Sequence, residues 1–448
     1  MLTVEAALTR LTHALDAAKR AGADAANAVY SGDASTQVSV RLGALEDIAR
    51  SEGEEIGLRV FVGDRSASVS TSDLSMAALA AVVERAVAMA REAPEDAYAG
   101  LASASRLLRG PAPDLDLDDG GDPSADSLKQ LALAAEDAAR GVPGITNSEG
   151  GGASAGRGIM ALATSGGFAG GYRATSYGVS ASVIAGTGDD MQRDYAYHSV
   201  RYLSDLDAPD GIGSRAGTRA IERLNPIRLP TGAMPVLFDP RVSATLLGHL
   251  AGSITGSAIA RGTSFLKDML GAAVFGACVT ILDEPHRLRG LRSRPFDGEG
   301  LPTAPRSIID AGVLTGWLMD SASARQLGLE PTGHAARGLA GPPGAGPSNL
   351  HMAAGTLTPA ELMADIRQGF YVTELIGMGV NGLTGDYSRG ASGFLIDNGV
   401  LGPAVAEVTI AGNLKDMFLG LTPANDLSFR RATNAPTLRI DGMTLAGE

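Results

Sequence analysis

Between Val38 and Asp73 the side chains alternate. Val38, Val40 and Leu42 fall on one side of an extended chain, and Leu58, Val60 and Val62 do the same further on. A period of two belongs to strands with one buried face, because successive side chains of a strand point to opposite faces. Gly63-Asp64 reads as a turn into a third extended run, Ala67–Ser70. The expectation is a meander of antiparallel strands. An amphipathic helix carrying Leu8, Leu11 and Leu15 precedes it and stops at Gly22, and another follows from Met76 to Ala93.

Residues 109–125 are rich in Pro, Gly and Asp and read as a loop, with a helix after it from about Ser127 to Arg140. From Ile145 to about Arg201 the Gly- and Ser-rich sequence returns to strand character. Prolines without a sustained period mark a boundary near 224–234, giving an N-terminal α+β domain over 1–223 and a C-terminal β-rich domain over 224–448. The second half opens on a long helix of small residues, VSATLLGHLAGSITGSAIARG. Short apolar runs follow, and Asn398-Gly399 between two of them is a two-residue hairpin signal. Thr358, Pro359 and Glu361 have the spacing of a capped helix start, and residues 333–348 read as a mobile loop. Strands mixed with a few helices, without regular βαβ alternation, indicate an α+β fold: two domains of antiparallel or mixed sheets with a few packing helices.

Composition narrows the function. Hydrophobic residues at 44% and charged residues at 19% suit a globular chain, and 448 residues exceed one simple core. A net charge of -13 repels phosphate backbones, and no Lys/Arg run offsets it, so no nucleic-acid partner is expected. No apolar stretch approaches the ~18–20 residues of a membrane span, and the N-terminal residues lack the pattern of a signal peptide. The single cysteine, Cys278, cannot form an intrachain disulfide. These features lead to the expectation of a cytoplasmic protein with no membrane association. In the apolar run FGACVTIL, Cys278 is expected to be a buried small hydrophobe.

Several strings imitate catalytic motifs. GASAG around Ser154 fits G-x-S-x-G, but strand-like sequence follows where a nucleophile elbow needs a helix. SFLK at 264–267 lacks the partner motifs of an S-x-x-K enzyme. GMGVNG at 377–382 leads into no helix that could hold a pyrophosphate. DEPH at 283–286 reads as a strand-end turn with a solvated His286. The six histidines include no pair at compact metal-site spacing and no H-E-x-x-H.

Longer strings carry a resemblance. GMGVNGLTGDYSRGASGFLIDNG (377–399), GSAIARGTSFLKDMLG (256–271) and TIAGNLKDMF (409–418) are similar to the TldD/PmbA family. So are DEPHRLRGLRSRPFDGEG (283–300), PTGHAARG (331–338), EEIGLRVFVGDRSASVSTSD and MQRDYAYHSVR. The TldD branch of that family resembles a zinc peptidase with a His-Glu-x-x-x-His helix and a cysteine near the C-terminus. Matching the strings places Leu247, Gly248 and Gly252 at those three helix positions, with His249 out of phase, and no cysteine falls near the C-terminus. The resemblance therefore implies a PmbA-type (TldE-type) subunit with no metal or catalytic residues of its own. Its expected partner is a TldD-like catalytic chain that holds zinc, joined as a heterodimer cleaving small or unfolded peptides, with a homodimer expected when alone. A stand-alone protein-binding modulator, and a peptidase with its own site at Ser154, Asp386 or Ser388, stay open as alternatives. Asp386, Tyr387, Ser388 and Arg389, in the Gly-rich string GDYSRG, are the candidates for lining a chamber or a subunit contact. The competing reading is an internal Asp386–Arg389 pair that fixes the loop.

Overall fold

The structure, a computed structural model, describes residues 1–447. Its first half is built on six strands: β1 (Ala25–Arg41), β2 (Ala44–Val62), β3 (Arg65–Thr71), β4 (Ile145–Thr164), β5 (Ala169–Ala185) and β6 (Gln192–Val200). They pair antiparallel in the order β3-β2-β1-β4-β5-β6. Four helices, α1 (Val4–Arg20), α2 (Met76–Glu92), α3 (Ala125–Arg140) and α4 (Pro209–Glu222), cover one face. Strand parity explains how one face takes four helices. Ala26, Ala28 and Tyr30 of β1 pack under α1 and α2, while Val38 and Val40, of the same parity, pack under α3 and α4.

The expected meander is present, with two corrections. β1 begins at Ala25, well before the alternation does, because Ala26–Tyr30 are all buried. Val29 on the reverse face meets Phe168, Phe296 and Leu301, and burial on both faces erases a period of two. Leu42 is not on a strand face. With Gly43 it forms the two-residue turn between β1 and β2, both residues at positive φ (52° and 77°). α3 holds this turn: the fully buried Glu136 accepts the amides of Leu42 (2.7 Å) and Gly43 (2.9 Å) and the Ser148 hydroxyl (2.6 Å).

The second half contains β7 (Gly232–Phe238), β8 (Gln368–Val380), β9 (Asp386–Asp397), β10 (Val400–Asn413) and β11 (Leu438–Ala446). β7 lies between β8, its parallel neighbour, and β11, which is antiparallel to it. β9 and β10 continue from β8, and β10 pairs back onto β11, closing the sheet on itself. α5 (Pro240–Ser253) follows β7 directly and buries Leu246, Leu247 and Leu250 in a core with Phe238 and Phe370. A smaller sheet of short strands, including 281–283, 306–310 and 350–352, completes this half. The class is α+β, as expected. Among the described residues no helix is long and apolar enough to cross a membrane.

Asn398 and Gly399 make the expected turn (φ 47° and 81°), and Thr358 and Glu361 form a full capping box. The long helix expected after β7 is instead two, α5 and α6 (Gly256–Ala260). The break lies where the Gly256 amide donates to the Leu318 carbonyl (2.7 Å) and the Thr255 hydroxyl caps the second helix. Segment 333–348 is tied down rather than loose. His334 and Ala335 are buried, Arg294 donates to the carbonyls of Ala335 (3.1 Å) and Gly346 (2.9 Å), and Arg337 reaches Asn27 in the first half.

Removing the Glu136 carboxylate leaves the Leu42 and Gly43 amides and the Ser148 hydroxyl without that acceptor. Glu136→Ala is expected to lower unfolding stability by about 2–3 kcal/mol. Asp137→Ala, an exposed neighbour in a loose pair with Arg140, changes it by less than about 0.5 kcal/mol. Urea denaturation of the two variants checks this, and equal midpoints would contradict it.

Candidate functional site

The three strings that carry the resemblance most strongly, far apart in sequence, meet in space. The Phe265 amide donates to the Gly382 carbonyl (3.0 Å), and the Leu414 amide to the Gly385 carbonyl (2.7 Å). Asn413 reaches back to the Asp386 carboxylate (3.0 Å) and the Thr384 carbonyl (3.2 Å). Phe418 stacks on Phe275 with ring centres 4.5 Å apart and lies 6.2 Å from Phe265. Together these segments frame a cleft of about 570 Å³ lined by Phe265, Lys267, Met269, Leu383, Lys415 and Leu419. Leu383 and Leu419 are exposed at its rim, and Ile376 and Met378 (84%) are exposed on the strand leading to the hairpin. An exposed apolar surface of this kind, with Lys and Asp at its edge, suits contact with another chain.

The four candidate residues begin β9 and divide between its faces. Asp386 and Ser388 are exposed, while Tyr387 (1%) and Arg389 (8%) are buried. Asp386 does not pair with Arg389, because residues three apart on a strand point to opposite sides. Instead it accepts hydrogen bonds from Thr384 (2.7 Å) and Asn413 (3.0 Å), which hold its carboxyl below the usual carboxylate range. Arg389 turns inward and donates to the Ile376 carbonyl (3.4 Å). His249 of α5 meets Tyr387 edge to face with ring centres 6.0 Å apart. Burial, and then the Arg389 charge, pushes the His249 pKa down. Burial pushes the Tyr387 phenol up. Both His249 Nε2 and the Tyr387 hydroxyl are buried without a hydrogen-bond partner among the described residues.

α5 also carries the positions where the resemblance would put metal ligands. Leu247 is sunk in the hydrocarbon core (1% exposed). Gly248 and Gly252 are exposed, and a Cβ on either would meet nothing within 4 Å. None of the three offers a donor atom, so these residues do not fit a zinc ion. Among the described residues no group of three or more His, Cys, Asp or Glu side chains is placed to hold a metal.

Ser154 sits inside β4, paired with Gln37 and Gly178, with no helix after it. The buried Ser264 caps its own turn, accepting the Leu266 amide (3.0 Å). Cys278 is exposed, contrary to expectation. Residues 275–280 of FGACVTIL form a turn, the strand begins only at Ile281, and the run buries only Phe275, Val279 and Ile281. His286 is half-buried rather than solvated, and its Nε2 lies 2.9 Å from the Thr303 hydroxyl. Sequence reading missed one constellation. His334 Nδ1 is hydrogen-bonded to Thr332 Oγ1 (2.8 Å), His334 Nε2 lies 3.2 Å from Asp283, and Asp283 accepts the Ser348 amide (2.7 Å) and hydroxyl (2.9 Å). The spacing is that of a hydroxyl–imidazole–carboxylate relay. His334 (2%) and Asp283 (1%) are closed to substrate, so the array holds the fold. The strings DEPH and PTGHAARG, read together, were its signal.

Three family models match the chain in order: PmbA/TldA metallopeptidase domain 1 over residues 27–90, the central domain over 118–224 and the C-terminal domain over 231–447. The metalloprotease PmbA of Escherichia coli O157:H7 is 40% identical over 427 residues, spanning 95% of this chain and 93% of that protein. A solved structure from Bacteroides thetaiotaomicron, described as a candidate modulator of DNA gyrase, is 29% identical. It superimposes with a TM-score of 0.92 over 100% of both chains. TldE from Thermococcus kodakarensis shares the fold, with a TM-score of 0.86 at 20% identity over 98% of this chain and 100% of its own.

A buried hydroxyl without a partner costs stability. Tyr387→Phe is therefore expected to leave thermal stability of the isolated chain unchanged or raised, by up to about 1 kcal/mol. A clear drop in the melting temperature would show that the hydroxyl is bonded.

Proposed function

The chain belongs to the PmbA/TldD metallopeptidase family, and within it we propose that it is the subunit with no metal site of its own, paired with a TldD-like chain that holds zinc and cuts small or unfolded peptides. The observation that carries this reading is the donor-free face of α5. Zinc in a peptidase needs side-chain lone pairs for its ligands and a carboxylate to take a proton from its water. Leu247, Gly248 and Gly252 supply neither, and no cysteine lies near the C-terminus. No bond-breaking step is assigned to any side chain here.

What this chain contributes is shape and contact. The cleft between Phe265 and Leu419, with Leu383 exposed at its rim and Ile376 and Met378 exposed on the strand before the hairpin, supports a role as the surface that meets the catalytic subunit, or a second copy when that subunit is absent. Asp386 and Ser388 are exposed on the same hairpin, which supports including them in that contact. Exposed glycines on α5 permit another backbone to approach closely. The 40%-identical relative bears the name PmbA, which supports the assignment to this branch. A specific interface of this kind buries at least ~1,200 Å² in total.

The test is peptide cleavage by the reconstituted pair, with association measured separately. Ser154→Ala, Ser388→Ala and His249→Ala are expected to leave turnover within about three-fold of the parent, because loss of a true nucleophile or base costs on the order of a hundred-fold or more. Leu383→Glu places a charge on the apolar rim and is expected to weaken association without altering the fold. If any of the three alanine variants abolishes turnover while the pair still forms and keeps its zinc, catalysis resides in this chain and the reading fails.

A further inference from the structure

β6 is the last strand of the first sheet, and a cleft runs along its outer edge. α4 forms one wall, and the start of α5 with segment 428–435 forms the other, enclosing about 360 Å³. Ser428, Arg430 and Arg431 continue it into a neighbouring cavity of about 400 Å³ that adds Arg201, Arg287 and Arg289. In a chain of net charge -13, so many arginines around one hollow call for an account of each charge.

Most are already balanced. Arg241 is held by Asp194 (2.7 Å), itself only 2% exposed, and Arg215 (2.8 Å) and Arg430 (2.7 Å) share one oxygen of Asp207. The two acids lining the first cavity are occupied elsewhere. Asp239 accepts the Arg241 amide (2.8 Å) and the Tyr371 hydroxyl (3.0 Å), and Asp426 accepts the amide (2.8 Å) and hydroxyl (2.7 Å) of Thr437. In the second cavity Arg287 pairs with Glu284 and Arg289 with Asp116 and Asp205, while Arg201 is turned onto the carbonyls of Thr175 (3.0 Å) and Leu291 (2.5 Å). In the first cavity two guanidinium groups are left. Arg219 makes only a long contact to the Tyr195 carbonyl (3.5 Å), and burial, then the nearby Arg241, pushes its pKa down. Arg431 donates to the Arg241 carbonyl (2.8 Å) and lies over the Tyr197 ring (5.4 Å). Neither has a carboxylate within ion-pair distance among the described residues. Beside them the rings of Tyr195 and Tyr197 stack 6.2 Å apart and are exposed at 37% and 41%.

A guanidinium held half out of water without an acid is matched by a planar anion, which it can grip with two parallel hydrogen bonds. The paired tyrosine rings offer an apolar platform to whatever carries that anion. The overall negative field disfavours a polyanion, but it acts little on one small charge in a local positive pocket, because screening limits its reach to about 10 Å. We propose that this cleft binds a carboxylate of a peptide, gripped by Arg219 and Arg431 with the neighbouring residue against Tyr195 and Tyr197. This deepens the reading of the chain as a peptide-handling subunit and rests on it.

Binding is measured on the full chain alone, by calorimetry at low salt, so no catalytic step enters. The probes are an alanine-rich hexapeptide with a free C-terminus, the same peptide as its C-terminal amide, and the amide with one internal glutamate. The free acid is expected to bind at least about ten-fold more tightly than the plain amide. The glutamate peptide tells whether a side-chain carboxylate serves equally, and either carboxylate source supports the site. Arg219→Gln and Arg431→Gln are expected to remove the acid-over-amide preference, with Arg219→Lys keeping part of it. The preference in the parent needs no variant to fold. Equal binding of acid and amide, no binding of either, or tighter binding of a short single-stranded oligonucleotide would overturn the proposal. Cleavage by the reconstituted pair, measured in parallel, separates the two readings: turnover without any acid preference removes the cleft and leaves the two-chain reading standing.

Discussion

The second half of the molecule depends on how α5 leaves β7, and one carboxylate fixes that junction. Asp239 follows the last residue of β7 and caps α5 through the Arg241 amide, while its other oxygen accepts the Tyr371 hydroxyl from β8. Its own amide donates to the Val372 carbonyl (3.0 Å). A helix cap, a neighbouring strand and the strand end are thus joined at a single residue, with Pro240 setting the first helical turn. β7 cannot slide without dragging α5, and α5 cannot rotate without losing its cap. Because β7 is central, between a parallel and an antiparallel neighbour, the helix direction is set by the whole sheet.

The fixed direction gives α5 two distinct sides. Leu246, Leu247 and Leu250 enter the core, and Gly248 and Gly252 are left facing outward. His249 lies between, against Tyr387 of β9, which ties the helix to the hairpin that carries Asp386 and Ser388. At its start the same helix forms a wall of the arginine cleft, where Arg241 meets the buried Asp194 of β6. That ion pair, with Arg223 on the other side of Asp194 (3.4 Å), crosses between the halves of the chain. Burial raises the pKa of Asp194, but Arg241, then the Tyr195 amide and Arg223, outweigh burial and hold it low. Breaking one side of such a pair typically costs about 3–5 kcal/mol, so the relation of α5 to the first sheet is stiff.

How much of this could be read from sequence follows from where the information is local. The Asn398-Gly399 turn and the Thr358 capping box depend on residues within four positions of each other, and both were legible. β1 was half legible: alternation marks Val38 and Val40, where one face is covered, and vanishes at Ala26–Tyr30, where both are. The Leu42 turn was illegible because its support, Glu136, lies more than ninety residues away. The break at Ile254–Thr255 was hidden for the same reason, since Leu318 supplies the competing carbonyl. At the candidate site, GDYSRG could be picked out as a string but not divided into faces. Strand geometry made that division and separated Asp386 from Arg389. The arginine cleft gave no sequence signal, because Tyr195, Arg219 and Arg431 come from three distant segments, and only the fold shows which arginines lack an acid.

The proposal that zinc chemistry belongs to a partner chain rests on Leu247, Gly248 and Gly252 of α5, none of which offers a side-chain donor. Elemental analysis of the full chain, purified without a histidine tag, tests it most directly when run beside the reconstituted pair. Less than about 0.1 zinc per chain is expected for this subunit alone, and stoichiometric zinc only when the TldD-like chain is present. About one tightly held zinc in the chain alone would contradict it.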